Sequence, residues 1–227
     1  MTMDILMNYG AQIAAGALVT LELAVAALCV GMLLGIAGAS AKLSSLGWLR
    51  HATYALTNFL RGIPEFLILL ICYFGLSHLL NAQFDGALVI SPFSAGVIAL
   101  AVVFGAYSSE MFRGAFIAVP AGQIEAARAY GMTRLQTLWY VRLPQAWRIC
   151  LPSLNNMWQN LLKDTSLVSI VGLEDMLRKA NIAAQFTKQP FVFYVTVGIV
   201  YFGFLAASNP VFAWLERIAG RGYAKRA

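Results

Sequence analysis

Apolar residues run along this chain in long stretches separated by short polar clusters. Four stretches contain no Asp, Glu, Lys or Arg: Leu23 to Ala41, Phe66 to Phe84, Gly86 to Ser109 and Gln189 to Leu215. The shortest are 19 residues and the longest is 27. A helix rises about 1.5 Å per residue, so about 20 residues cross the roughly 30 Å hydrocarbon layer of a bilayer. Every stretch is long enough. A backbone with no water to bond to must also satisfy its own polar groups, which makes helix the only sensible form. The pattern predicts membrane-spanning helices near 13–38, 64–82, 92–112 and 191–214.

A fifth candidate covers 151–172. Lys163 and Asp164 lie near its middle, and each would cost about 2.5–3.5 kcal/mol at a lipid-exposed helix centre. The segment spans only if protein or water shelters its polar side. Asn156, Gln159, Asn160, Lys163 and Ser166 recur at helical spacing on one side, while Leu154, Met157, Leu161 and Val168 take the other. That predicts an amphipathic span lining a cavity or a helix interface. Lys163 and Asp164 are sequence neighbours, so they point in different directions on a helix and cannot neutralise each other face to face. At least one is expected to pair with another span or subunit.

Composition agrees with a membrane protein. The 227 residues are 60% hydrophobic and 11% charged, against about 25% charged in a soluble domain. Disorder is excluded by the same hydrophobicity. The net charge of +6 would suggest nucleic acid in a soluble protein, but its distribution points elsewhere. Before residue 13 there is no Lys or Arg, and none occurs in 83–91. The first loop carries Lys42 and Arg50. The segment 113–150 carries Arg113, Arg128, Arg134, Arg142 and Arg148, and the tail carries Arg217, Arg221, Lys225 and Arg226. Basic loops stay on the cytoplasmic side, so five spans with N-out/C-in orientation is the consistent solution. Arg178, Lys179 and Lys188 in 173–190 are its least comfortable part. The expected architecture is an all-α polytopic bundle forming a single transmembrane domain over 1–227. No secretory signal is expected, because the first span lacks a basic lead-in. The three cysteines show no CxxC spacing and predict neither a disulfide framework nor a zinc site.

The segment 118–144, AVPAGQIEAARAYGMTRLQTLWYVRLP, carries the most specific local signals. Gln123 to Tyr130 reads as a short helix with Glu125 complementing its dipole in the first turn. Gly131 reads as its left-handed stop. Thr133 and Gln136 have the spacing of a capping box that opens a second helix. Leu143 before Pro144 should end that helix, because a residue preceding proline avoids the helical region. The result is a basic helix–turn–helix on the cytoplasmic face. A surface-lying amphipathic loop held by anionic membrane lipid is the alternative.

Glu125-Ala126-Ala127, then Gly131, then Leu143-Pro144, resembles the EAA motif of binding-protein-dependent ABC import permeases. Val141 stands where the family usually has Ile. Further points of likeness cover almost the whole chain. Gly16 to Leu23 looks like the first span of polar amino acid permeases, and Arg61-Gly62-Ile63-Pro64 is similar to their Arg-Gly-Thr-Pro element. Gly105-Ala106-Tyr107, Glu110 and Arg113-Gly114-Ala115 look like their third-span signature. Ser166 to Ser169 and Gly172 to Asp175 resemble the end of their fourth span. The resemblance is strongest to the histidine/lysine/arginine/ornithine importers, with octopine, nopaline and arginine permeases nearby.

That resemblance, and no feature of composition or spacing, implies a fold and a set of partners. The fold would be the type I importer permease fold, in a bacterial plasma (inner) membrane. The loop 113–150 would be a coupling segment whose Glu125, Ala126, Ala127, Gly131, Leu143 and Pro144 dock on an ATPase subunit dimer. A second homologous permease subunit and a periplasmic or extracellular amino acid binding protein would be the other partners, with no nucleic acid. ATP and magnesium would be used by the partner, and no cofactor would be bound by this chain.

The chain's own residues agree that it is not an ATPase, because none of its five lysines follows a glycine as a phosphate-cradling Walker loop requires. Metal clusters and nucleophile motifs are also missing. The candidate translocation residues are Glu22, Tyr107, Glu110, Asn156, Gln159, Asn160, Lys163 and Asp164. Glu22 reads either as a polar group that attracts a cationic substrate or as an interhelical hydrogen-bonding residue. Glu110 and Arg113, three apart, read either as a local ion pair or as part of a cytoplasmic gate. A stand-alone secondary transporter or channel would usually show internal repeats and more spans. A membrane scaffold would not need a mid-membrane polar stripe.

Overall fold

The computed structural model describes residues 2–75, 78 and 90–221. Among the described residues every regular element is helical. Helix α1 is Thr2–Lys42, α2 is Gly47–Gly62 and α3 is Glu65–Leu70, which continues into a π turn over Ile71–Gly75. Helix α4 is Pro92–Ile117, α5 is Ala121–Ala129 and α6 is Arg134–Thr137, followed by a second π turn over Leu138–Arg142. Helix α7 is Leu143–Asp164 and runs into a 3-10 turn over Thr165–Val171. Helices α8, Met176–Thr187, and α9, Pro190–Ala219, complete the order.

Among the described residues three helices are long and apolar enough to cross a membrane: Tyr9–Lys42 within α1, then α4 and α9. A bent pair, α2 followed by Glu65–Gly75, could make one further crossing, with a 105° turn between its halves. The expected span 64–82 is helical over 65–75, and residues 76–77 and 79–82 lie outside the described part. Helix α7 has 22 residues, about 33 Å of rise, but is more polar than the other three. The expected first loop is not irregular, because its residues 47–62 form the amphipathic helix α2.

The core gathers around α4. Leu23, Ala24 and Ala27 of α1, Ile68 and Leu69 of α3, and Ala99, Leu100 and Phe104 of α4 join Leu151, Leu154, Leu161 and Leu162 of α7 in one buried cluster. Helices α1 and α4 approach along a stripe of small residues. A Cβ built on Gly35 would lie 2.0 Å from the Ser108 hydroxyl, and one on Gly38 would lie 2.9 Å from the Ser109 Cβ. Only glycine allows this closeness, as in small-residue helix pairs generally.

Two expectations need correcting. Leu143-Pro144 does not end a helix: the backbone stays helical from Arg134 through Asp164. The π turn at Leu138–Arg142, in which the Leu143 N–H donates to Leu138 O, leads directly into Leu143-Pro144 and accommodates the bond that proline, lacking an N–H, cannot make to the preceding turn. Widening to a π turn is how a helix absorbs such a local misfit. The expected span 151–172 therefore begins at 143, and past Asp164 it tightens into 3-10 form up to Gly172.

Helix α8 packs on α1 through Asp175 and Met176. The Thr20 Oγ1 accepts from the Met176 N–H at 3.2 Å, and Asp175 caps the helix by accepting from Arg178 N–H at 2.9 Å. The other carboxylate oxygen of Asp175 is buried without a hydrogen-bond partner among the described residues. Burial pushes this carboxyl up to about 6, against the lowering effect of the N–H groups it caps.

Candidate functional site

Helices α3, α4 and α7 enclose a cavity of about 300 Å³. Helix α4 supplies Leu100, Val103, Phe104 and Tyr107, and α7 supplies Met157, Asn160, Leu161 and Asp164. Each set is spaced i, i+3, i+4, i+7, one face of one helix. Glu65, the first residue of α3, completes the wall. Pro64 precedes it at the N-cap in extended conformation, so the chain turns before Glu65. The cavity thus presents two carboxyl groups, a phenol and an amide among apolar side chains, and no basic residue lines it among the described residues.

Of the predicted pathway residues, Tyr107, Asn160 and Asp164 meet here. The others do not. Gln159 donates to Asn155 Oδ1 at 3.4 Å and to Asn209 Oδ1 of α9 at 3.3 Å. Asn156 and Lys163 are exposed along α7. Glu22 is exposed on α1 and has no hydrogen bond or ion pair among the described residues. The expected ion pair for Lys163 or Asp164 is likewise not formed among the described residues. Asp164 faces the cavity with Glu65 instead. Met157, expected on the apolar side, also opens onto the cavity.

Glu110 lies elsewhere, in a cluster at the far end of α4. It accepts from Arg113 Nε at 2.9 Å, the local pair that the spacing suggests. It also accepts from Lys42 Nζ at 2.6 Å. Lys42 does not sit in a loop as expected: it is the last residue of α1, and its side chain is fully buried. It also donates to the Ser109 hydroxyl at 2.8 Å. Tyr54 of α2 covers both cations, 5.2 Å from Lys42 and 5.7 Å from Arg113. Loop counting treats every inter-span lysine alike, so Lys42 carries no sequence signal of burial. Glu65 is visible in the sequence only as a charge beside Pro64.

The segment 120–144 forms as read at its centre. Helix α5 ends at Ala129, and Gly131 takes φ +77°. Thr133 and Gln136 make the reciprocal capping box. Ala127 is buried, whereas Glu125 and Ala126 are exposed, as are Tyr130, Leu135, Trp139 and Tyr140 beyond them. Leu143 and Pro144 begin α7. A larger cavity of about 590 Å³ lies close by, between the ends of α1 and α4 and the start of α7. Its walls, including Ile36, Phe112, Phe116, Leu143 and Trp147, are almost wholly apolar, so it lacks the convergent polar groups of a small-molecule site.

Residues 27–219 match the model of the binding-protein-dependent transport system inner membrane component family. The chain belongs to that family. It is 41% identical over 218 residues to the histidine/lysine/arginine/ornithine transport system permease protein HisQ of Escherichia coli, covering 93% of this chain and 95% of that one. It is 41% identical over 221 residues to the nopaline transport system permease protein NocQ of Agrobacterium fabrum, covering 95% and 94%. Among solved structures, an amino acid ABC transporter crystallised with histidines superposes with a TM-score of 0.82 at 33% identity, covering 93% of this chain and 96% of that one. This permease is accordingly a membrane-embedded transport subunit of an ABC importer, not an enzyme.

Proposed function

We propose that the cavity between α3, α4 and α7 is this permease's section of the path for a polar, basic amino acid. The observation that carries the reading is the pair of carboxyl groups, Glu65 and Asp164, on an otherwise apolar wall beside Tyr107 and Asn160. A cationic side chain leaving water needs anions and an aromatic face, and this wall offers both. The names of the similar permeases, which refer to histidine, lysine, arginine, ornithine and nopaline, support that substrate class.

The chain crosses the bacterial inner membrane five times, N-out/C-in, with α7 as the amphipathic fourth crossing. A second homologous permease covers its exposed polar residues Asn156 and Lys163. A binding protein delivers substrate to the outer face. An ATPase dimer, which uses ATP and magnesium, grips Glu125, Ala126 and Ala127 of α5, with Gly131 as the turn behind them and Leu143-Pro144 as the base of the lever. Its closure drives alternating access. In proteoliposomes holding the whole transporter, Asp164→Asn with Glu65→Gln is expected to cut ATP-driven uptake of L-arginine at least tenfold. Uptake at the wild-type rate in that double variant overturns the reading.

A further inference from the structure

Arg61 lies in the last turn of α2, and its guanidinium lies over the Tyr107 ring with Cζ 5.1 Å from the ring centroid. That ring also lines the cavity that holds Glu65 and Asp164. Arg61 and Glu65 are four residues apart, a spacing that pairs opposite charges on a continuous helix. Here the helix is broken between them. Ile63 and Pro64 are extended, with ψ 138° and 133°, and the axis turns by 105°. The break denies Arg61 its sequence-local carboxylate, and Arg61 forms no ion pair among the described residues. Glu65 is left to the cavity.

Two carboxyl groups thus line one space and a guanidinium stands at its edge on the Tyr107 ring, and none of the three forms an ion pair among the described residues. A basic amino acid carries the complementary set, one carboxylate and two cations. We propose that Arg61 reads the α-carboxylate of the transported amino acid, while Glu65 and Asp164 receive its two cationic groups. This rests on the reading of the cavity as the substrate path. The guanidinium fork binds a carboxylate through two parallel N–H donors. Its stacking on Tyr107 at an exposed position is worth only about 0.5–1 kcal/mol, so the side chain can exchange the ring for a carboxylate at little cost. Tyr107 would park the charge at the cavity edge until substrate arrives.

The test uses the permease with its ATPase in lipid nanodiscs, without binding protein, titrated by ligand-observed NMR. The two probes are L-arginine and agmatine, which is L-arginine lacking its carboxylate. The intact complex is expected to bind L-arginine at least tenfold more tightly than agmatine. Arg61→Gln should erase that preference by weakening L-arginine alone, and Arg61→Lys should restore part of it. Arg61 is exposed, and retained co-purification with the ATPase certifies the fold of each variant. If Glu65→Gln with Asp164→Asn weakens both probes while Arg61→Gln leaves their ratio unchanged, the Arg61 assignment falls and the cavity reading stands. If the two acid substitutions weaken neither probe, the cavity reading falls and takes the Arg61 assignment with it.

Discussion

Replacing Glu110 by Gln should be far more damaging than replacing its partner Lys42 by Met. The side chain of Lys42 is wholly buried, and among the described residues its Nζ has Glu110 as its one anion, 2.6 Å away. Glutamine keeps the size of Glu110 but leaves a buried ammonium facing an amide and the Ser109 hydroxyl. Breaking a buried pair from one side costs about 3–5 kcal/mol. Lys42→Met removes the buried cation itself. Glu110 then keeps Arg113 at 2.9 Å and retains some access to solvent, so the loss should be about 1 kcal/mol, the value of an ordinary hydrogen bond. The double variant carries no uncompensated buried charge and should recover about 2 kcal/mol relative to Glu110→Gln. Thermal unfolding of the purified transporter, followed by intrinsic fluorescence, reads this order. At about 2–4 °C per kcal/mol for a chain of this size, Glu110→Gln should drop the midpoint by about 10 °C and Lys42→Met by about 3 °C. Equal single effects that add in the double variant would refute the reasoning, because additivity means that neither charge depends on the other.

Two further outcomes are expected. Gly131 has φ +77° and no atom within 4 Å of a built Cβ, so in Gly131→Trp the backbone cost is that of holding a non-glycine residue in the left-handed turn, about 1–2 kcal/mol. Membrane insertion should persist while ATP-driven uptake is lost, and wild-type uptake in proteoliposomes would contradict this. For Asp175, the folded value of about 6 lies above the ordinary 3.8, so the native state binds the proton more tightly than the unfolded chain does. Stability from this group is therefore gained as pH falls through 6 and lost above it, a difference of about 3 kcal/mol at most. Asp175→Asn, which keeps a good N-cap, should be more stable than wild type at about pH 7.5. Its melting midpoint should also change less between about pH 7.5 and about pH 5. Parallel pH profiles for the two proteins would show that the carboxyl is not the group responsible.

Much of this architecture is legible because lipid imposes long uninterrupted runs. The α1, α4 and α9 segments announce themselves by charge-free length, and the stop at Gly131 and the box at Thr133 and Gln136 are local chemistry. The polar stripe on α7 is legible as a stripe, but not its division. Of the stripe, Asn160 and Asp164 line the cavity and Asn156 and Lys163 do not, because two adjoining faces of one helix share a single periodicity. Leu143-Pro144 misleads because the usual effect of proline assumes α-helical spacing, and the preceding π turn changes that spacing. Lys42, Tyr54 and Glu110 are 12 and 56 residues apart along the chain, and no pattern within one helix reports such a meeting.

The glycine seam between α1 and α4 has a mechanical consequence. With a virtual Cβ at Gly35 only 2.0 Å from the Ser108 hydroxyl, the two helices have no slack in which to slide or roll past each other. They form a chassis that travels as one block. Any change of shape is then left to the joints where the chain leaves regular helix, among them Ser44 and Ser45, Ile63 and Pro64, and Gly172. The second joint lies between Arg61 and Glu65, so flexing there would change the spacing of two charges beside the cavity.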